Sequence, residues 1–305
     1  MKAWIAHEQG RALLGEIPDG VTIEVVDDPG RLPSDPAGVQ FWAPPFLAQG
    51  NAVPLAAALP DLRVVQLLTA GADVWIDRLP AGVALCDARG VHDSSTAEWA
   101  VTAILSHLRA FPRFARAQAR DGWEPVVTDE LAGKRVLIVG AGAIGTAIQR
   151  RLAPFEVTLT LVARTARPGE GVYGVADLPA LLPAADVVVV IVPLTEHTRG
   201  MIDARFLAAM PDGSLLVNAA RGPVADTAAL VAELATGRIG AALDVTDPEP
   251  LPAGHPLWQL PNVLLTPHVA GSVYGLLPRA YRLVGQQLRR FVAGEPLVNL
   301  VVDGY

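Results

Sequence analysis

Arg135-Val136-Leu137-Ile138-Val139-Gly140-Ala141-Gly142-Ala143-Ile144-Gly145 is the stretch on which the reading of this chain turns. A short run of branched apolar residues reads as a buried strand, and three glycines follow it at once. In such a turn the first glycine permits the sharp bend and the second lets backbone N–H groups approach a pyrophosphate. The third allows the next helix to pack closely on the strand. The positive end of that helix then faces the anion. A helical pattern continues to about Leu152, before Pro154, so strand, turn and helix stand in the order a dinucleotide site needs. Gly140, Gly142, Ala143, Ile144 and Gly145 are the residues expected there.

Outward from this point, short β-branched runs alternate with Ala/Leu-rich stretches, the mark of βαβ units and a mainly parallel sheet. Downstream strands are expected at 157–162, 187–192, 214–218, 241–245 and 263–266, and the run Val187-Val188-Val189-Val190-Ile191-Val192 suits a strand covered on both faces. Upstream, runs at 2–6, 21–26, 39–43, 64–68 and 83–86 form a second, smaller series. Between the two series lies an apolar helix expected at 97–111, opened by Ser95-Thr96-Ala97-Glu98 as a capping box. A last helix is expected at 276–291, with a tail through 297–302.

At 305 residues the chain exceeds one compact core, so two domains are expected. The fold class is α/β: a Rossmann-type doubly wound parallel sheet, residues 96–271, inserted into a smaller flavodoxin-like α/β domain built from 1–95 and 272–305. Hinges are expected near Ser95 and Gly271.

A net charge of −7 without a Lys/Arg-rich run gives no footing for nucleic acid or an anionic membrane as partner. The start lacks a signal-peptide core and no apolar stretch approaches ~18 residues, so a cytoplasmic protein is expected. Cys86 is the single cysteine, which excludes an internal disulfide and a thiolate metal cage; it reads as a small buried strand residue, and no metal is expected.

About 20 residues past the glycines, an NAD site normally places a carboxylate against the ribose 2′-hydroxyl. This chain has Val162-Ala163-Arg164-Thr165-Ala166-Arg167 there. With no carboxylate to repel it, a 2′-phosphate can pair with Arg164 or Arg167 and accept a hydrogen bond from Thr165. NADP(H) is therefore expected over NAD(H), which stays possible.

Arg221, Glu249 and His268 each stand just past one of the later apolar runs. Residues that follow different strands of a parallel sheet gather at one edge, where ligands of open α/β sheets bind. Arginine after a strand is often a surface charge, and a carboxylate in the Pro-rich stretch 247–252 is ordinarily exposed. Of six histidines, however, only His268 directly follows an apolar strand and precedes a small-residue turn. His92 and His197 read as loop residues open to solvent.

Three segments, Val217-Asn218-Ala219-Ala220-Arg221-Gly222, Ala242-Leu243-Asp244-Val245-Thr246-Asp247-Pro248-Glu249-Pro250 and Leu265-Thr266-Pro267-His268-Val269-Ala270-Gly271-Ser272, resemble the signatures of the D-specific 2-hydroxyacid dehydrogenase family, in particular its glyoxylate/hydroxypyruvate reductases. Gln66-Leu67-Leu68-Thr69-Ala70-Gly71-Ala72-Asp73 resembles the family's substrate-carboxylate loop, and Val192-Pro193-Leu194-Thr195 a cofactor-side loop. The resemblance implies that Arg221 grips the substrate carboxylate and polarises its 2-oxo group, that His268 gives or takes the proton, and that Glu249 holds the imidazole. It further implies that Ala70 and Gly71 bind the carboxylate through backbone, that Asp244 and Thr96 touch the nicotinamide end, and that Val192 and Pro193 flank the cofactor.

The expected partner is a small 2-oxo or 2-hydroxy acid, and a homodimer is implied. Formate-oxidising members carry Gln where this chain has Glu249, which argues for chemistry that moves a proton with the hydride. Two alternatives stay open, a phosphite-oxidising enzyme and a nucleotide-sensing corepressor of the same fold. A methyltransferase reading of the glycine turn leaves Arg221, Glu249 and His268 unexplained. Trp42 fits either the pocket or the core. Two departures from the pattern stand out, Glu156 in place of a glycine and an apolar 272–277 segment in place of a polar run.

Overall fold

The computed structural model describes residues 1–46 and 52–302. Contacts divide the chain into two compact units, Met1–His92 with Val273–Tyr305 (unit 1) and Asp93–Ser272 (unit 2). Each holds one sheet, and every strand pair in both sheets is parallel.

Unit 1 is built on β1 (Lys2–Ile5), β2 (Thr22–Val25), β3 (Val39–Ala43), β4 (Val64–Gln66) and β5 (Ala84–Cys86), in the order β2-β1-β3-β4-β5. This is the flavodoxin-like doubly wound order. Side chains alternate across the sheet: Ala3, Ile5, Phe41 and Ala43 face a core shared with Tyr281, Val284 and Leu288 of the helix Leu276–Ala293. Trp4, Trp42 and Val65 face the other core, which takes in Ala52, Val53 and Ala56 of the helix Ala52–Ala58. Trp42 is a core residue, fully buried and edge-on to Trp4 at 6.1 Å and Trp75 at 6.3 Å.

The C-terminal tail returns to this unit. Leu300 bridges Cys86 in antiparallel fashion, Val301 N donates to Leu85 O at 2.8 Å, and Gln287, fully buried, joins Gln66 Oε1 (2.9 Å) to Val298 O (2.7 Å). Burial pushes the Cys86 thiol up to about 12, which suits the inert strand residue its sequence suggests.

Unit 2 is built on β6 (Arg135–Val139), β7 (Thr158–Ala163), β8 (Val172–Gly174), β9 (Val187–Val190), β10 (Leu215–Asn218), β11 (Gly240–Leu243) and β12 (Val263–Leu265). Their order is β12-β11-β10-β9-β6-β7-β8. The chain runs outward from β6 to β8, returns to β9 on the other side of β6, and continues away; this is the Rossmann arrangement, with its switch point between β6 and β9. Val187 and Val189 join Val136, Ile138 and Val217 in one core, whereas Val188 and Val190 join Leu137, Val139 and Leu216 in the other. Burial on both faces accounts for the unbroken valine run.

The linking helix differs from expectation. It spans Asp93–Leu108, so Ser95 and Thr96 lie buried inside it instead of capping it. Burial of Ala97, Ala100, Ala103 and Ile104 at helical spacing sets its extent, and Asp93 gives the first turn a favourable negative charge. It cannot continue to 111 because Pro112 opens a separate helix, Phe111–Gln118, after Ala110 turns to φ +53°. The sequence also conceals β8, a three-residue edge strand held by β7 and by an Arg167–Val172 bridge.

Candidate active site

The glycine turn lies at the switch point of unit 2. Gly140 has φ +123°, and a Cβ there would stand 2.3 Å from the Ile191 carbonyl beyond β9. A Cβ on Gly145 would lie 1.8 Å from the Gly140 carbonyl, so the helix Ala143–Leu152 approaches its own entry turn too closely for any side chain. Gly142, by contrast, faces open space, with nothing within 4 Å of a built Cβ. The three glycines thus take the roles of bend, access and packing, and the clear space before a ten-residue helix fits a pyrophosphate.

Arg164, Thr165 and Arg167 follow β7 and are exposed. Arg167 reaches back to the glycine turn: its Nη2 donates to Ala141 O at 3.1 Å, and its Nη1 pairs with Glu170 at 3.3 Å. This contact puts a guanidinium beside the glycine turn. After β9, Val192 is half-buried and Pro193 exposed; the Thr198 hydroxyl donates to Pro193 O at 2.6 Å and accepts from Thr195 N at 2.8 Å, tying the loop. Thr96 is 6% exposed in the first turn of its helix.

The remaining unit 2 residues follow β10, β11 and β12, which are adjacent. Asn218 pairs with Leu243 and Leu243 with Leu265, so Arg221 and His268 each come three residues past the same rung of the sheet. Two strand spacings separate β10 from β12, roughly 10 Å. His268 Nδ1 and Glu249 Oε1 stand 2.6 Å apart, with side chains 23% and 41% exposed. That bond directs Nδ1–H at the carboxylate and leaves Nε2 for another partner. Glu249 is therefore engaged with an imidazole although its Pro-rich loop is exposed; X-Pro bonds 247–248 and 249–250 are both cis.

Arg221 is half-buried, and its Nη1 donates to Ala220 O at 2.8 Å. Its loop is pressed onto the segment leading to Glu249: a Cβ on Gly222 would lie 1.8 Å from Thr246 O. Asp244 is 2% exposed, and both its carboxylate oxygens accept hydrogen bonds from the His268 loop. Sequence reasoning assigned no role to Asn218; the available signal was a polar residue ending an otherwise apolar strand.

Ala70 and Gly71 belong to unit 1, in the turn after β4, where the Thr69 hydroxyl donates to Gly71 O at 2.8 Å. His92, expected at the surface, is 5% exposed; its Nε2 lies 2.7 Å from Leu68 O and its ring stacks on Phe46, contacts made only once the chain is folded. Among the described residues no group of His, Cys, Asp and Glu could hold a metal ion. Among them also, no helix is long and apolar enough to cross a membrane.

Comparison with known proteins agrees with this geometry. Residues 101–270 match the model of the D-isomer specific 2-hydroxyacid dehydrogenase NAD binding domain. A glyoxylate reductase of Thermofilum pendens is 35% identical over 255 residues, covering 78% of this chain and 74% of that protein. The structure of a D-isomer specific 2-hydroxyacid dehydrogenase from Xanthobacter autotrophicus Py2, in complex with NADPH and MES, superposes with TM-score 0.83 at 34% identity over 99% of both chains. That of an NADPH-dependent glyoxylate/hydroxypyruvate reductase from Sinorhizobium meliloti, in complex with NADP and sulfate, superposes with TM-score 0.85 at 29% identity, covering 100% of this chain and 99% of the other. A glycine turn built for a dinucleotide, an imidazole held by a carboxylate and these matches lead to one conclusion: the chain belongs to the D-isomer specific 2-hydroxyacid dehydrogenase family.

Proposed function

We propose that this protein reduces small 2-oxo acids of the glyoxylate and hydroxypyruvate kind to D-2-hydroxy acids with NADPH, NADH being a possible second donor. The nicotinamide supplies the hydride. Gly140, Gly142, Ala143, Ile144 and Gly145 hold the pyrophosphate, Arg164, Thr165 and Arg167 the 2′-phosphate, and Val192, Pro193, Thr96 and Asp244 belong to the cofactor's surroundings.

Arg221 binds the substrate carboxylate and draws electron density from the 2-oxo oxygen, since a planar fork of donors matches an oxygen pair. Ala70 and Gly71 add backbone donors for the same carboxylate. As hydride reaches C2, the carbonyl π pair takes the Nε2 proton of His268, and the imidazole returns to neutrality against Glu249. Oxidation runs the same steps backwards. The observation that carries this reading is the 2.6 Å His268–Glu249 contact at the edge of a dinucleotide-binding sheet.

An absorbance screen of 2-oxo acids with NADPH and NADH in parallel tests it. Turnover of glyoxylate or hydroxypyruvate, faster with NADPH, is expected; an inert panel would overturn the activity, and a higher kcat/KM with NADH the cofactor preference. The relatives described above lend no support to phosphite oxidation or corepression. We also assign the protein to the cytoplasm as a homodimer. Phe111, Trp123 and Val127 of unit 2 are 59%, 95% and 102% exposed, apolar surface that a second copy would cover, and light scattering in solution gives the mass.

A further inference from the structure

Two buried polar side chains stand at the ends of neighbouring strands in unit 2. Asn218 closes β10 at 1% exposure, and Asp244 follows β11 at 2% exposure. An apolar residue would fill either position at no desolvation cost, whereas a buried amide or carboxylate is tolerated only when its hydrogen bonds are made.

Both make them to the loops that carry the proposed catalytic groups. Asp244 Oδ1 accepts from the Thr266 hydroxyl at 2.6 Å and from Val269 N at 2.8 Å, and Oδ2 accepts from Ala270 N at 2.9 Å. Its backbone oxygen accepts from His268 N at 2.7 Å. His268 has φ +53°, a left-handed conformation disfavoured for a residue with a Cβ, and Asp244 fixes the chain on both sides of it. Asn218 does the same for the other loop: Oδ1 accepts from Ala220 N at 3.0 Å and Nδ2 donates to Arg221 O at 3.3 Å. The two anchors are joined, because Asp244 N donates to Asn218 O at 3.0 Å.

We infer that Asn218 and Asp244 are positioning residues, a buried polar clamp that sets where Arg221 and His268 stand relative to the sheet and to each other. The inference rests on the catalytic reading of those two residues. It gives Asp244 a task separate from the nicotinamide contact that the family resemblance implies. Its carboxylate oxygens are engaged by the chain itself, and the Asp244→Asn variant replaces one of them with an NH2 group that faces an N–H donor.

The test measures kcat and KM for glyoxylate reduction together with NADPH affinity by fluorescence titration, on the parent protein and on Asp244→Asn, Thr266→Val, Asn218→Ala and His268→Ala. Asp244→Asn should lower kcat by about 100-fold, the scale of loss a misplaced catalytic group causes, a loss far larger than any change in NADPH affinity. KM for glyoxylate should stay near the parental value, because the loss falls on proton delivery by His268 and leaves the Arg221 loop in place. Thr266→Val, which removes only the hydroxyl contact, should lower kcat in the same way by a smaller amount with KM kept, and it stands in if the Asn variant does not fold. Asn218→Ala should raise KM for glyoxylate and lower kcat together, because it acts through Arg221.

A loss of NADPH affinity in Asp244→Asn as large as its loss of kcat would overturn the clamp and return Asp244 to the cofactor. Altered melting temperature with parental kinetics in every anchor variant would also overturn it. A His268→Ala enzyme as fast as the parent would instead defeat the catalytic reading itself, so the two failures are distinct.

Discussion

In unit 1 the buried side chains Gln66 and Gln287 bond to each other and Gln287 to the returning tail, whereas in unit 2 the buried Asn218 and Asp244 bond to loops at the sheet edge. Both sheets are parallel, doubly wound and covered on both faces, so their apolar cores do the same job. The difference lies in what polar burial accomplishes: in unit 1 it closes the chain, and in unit 2 it shapes a chemical edge. A residue's burial therefore does not say whether it serves stability or reaction; the destination of its hydrogen bonds does.

The strongest break in this comparison comes at the edge of unit 2. Replacing His268 or Arg221 by Ala should lower turnover by about 10²–10⁴-fold while NADPH titration stays near parental values. Loss of cofactor binding alone in Arg221→Ala would refute its assignment. In the parent, reduction should slow and hydroxy-acid oxidation accelerate as pH rises, because reduction consumes a proton and oxidation releases one; identical profiles in both directions would contradict a proton moving with the hydride.

A smaller effect is expected at Arg167, whose guanidinium already touches the glycine turn. Arg167→Ala should reduce kcat/KM with NADPH by roughly tenfold, the worth of a charge-assisted contact, and leave NADH kinetics in place. Equal losses with both cofactors would remove it from the 2′-phosphate site.

The counterpart in unit 1 is Gln287→Leu, which leaves Gln66 and Val298 without their partner and should cost about 1–3 kcal/mol of stability in denaturant titration. NADPH affinity should not change. If it does, polar burial in the two units is not as separable as their hydrogen bonds indicate.

The smallest effect is shared. Burial lowers the pKa of His7 in unit 1 and of His107 in unit 2 below the usual 6.5, each opposed in part by an aspartate, Asp27 and Asp129 respectively. A group depressed in this way is neutral in the folded chain while the unfolded chain binds its proton. Stability is thus complete above about pH 6.5 and declines as pH falls below it. Melting curves between pH 5 and 7.5 should show this decline, flattened in His7→Gln and His107→Gln; an unaltered slope in both would rule these histidines out.

Much of this was legible in residue order. Unbroken apolar runs announce strands covered on both faces, and the glycine spacing announces a turn whose close contacts the structure displays at Gly140 and Gly145. The helix beginning at Asp93 was not legible, because Ser95-Thr96-Ala97-Glu98 satisfies the local rule for a cap while burial of Ala97 and Ala100 extends the helix past it. β8 was hidden by its brevity, and His92 by contacts distant in sequence, with Leu68 and Phe46. Asn218 and Asp244 show the same limit from the other side. Their types and positions are plain in the sequence, but the partners that give them meaning lie on other strands.

The tail that pairs with β5 has a consequence of its own. By seating Leu300 and Val301 against Cys86 and Leu85, it occupies one row of main-chain donors and acceptors that a sheet border leaves available for pairing with any passing strand. A version of the protein ending at Pro296 would bare that row, so its fault should show first as self-association of otherwise folded molecules, with loss of catalysis following only as they leave solution.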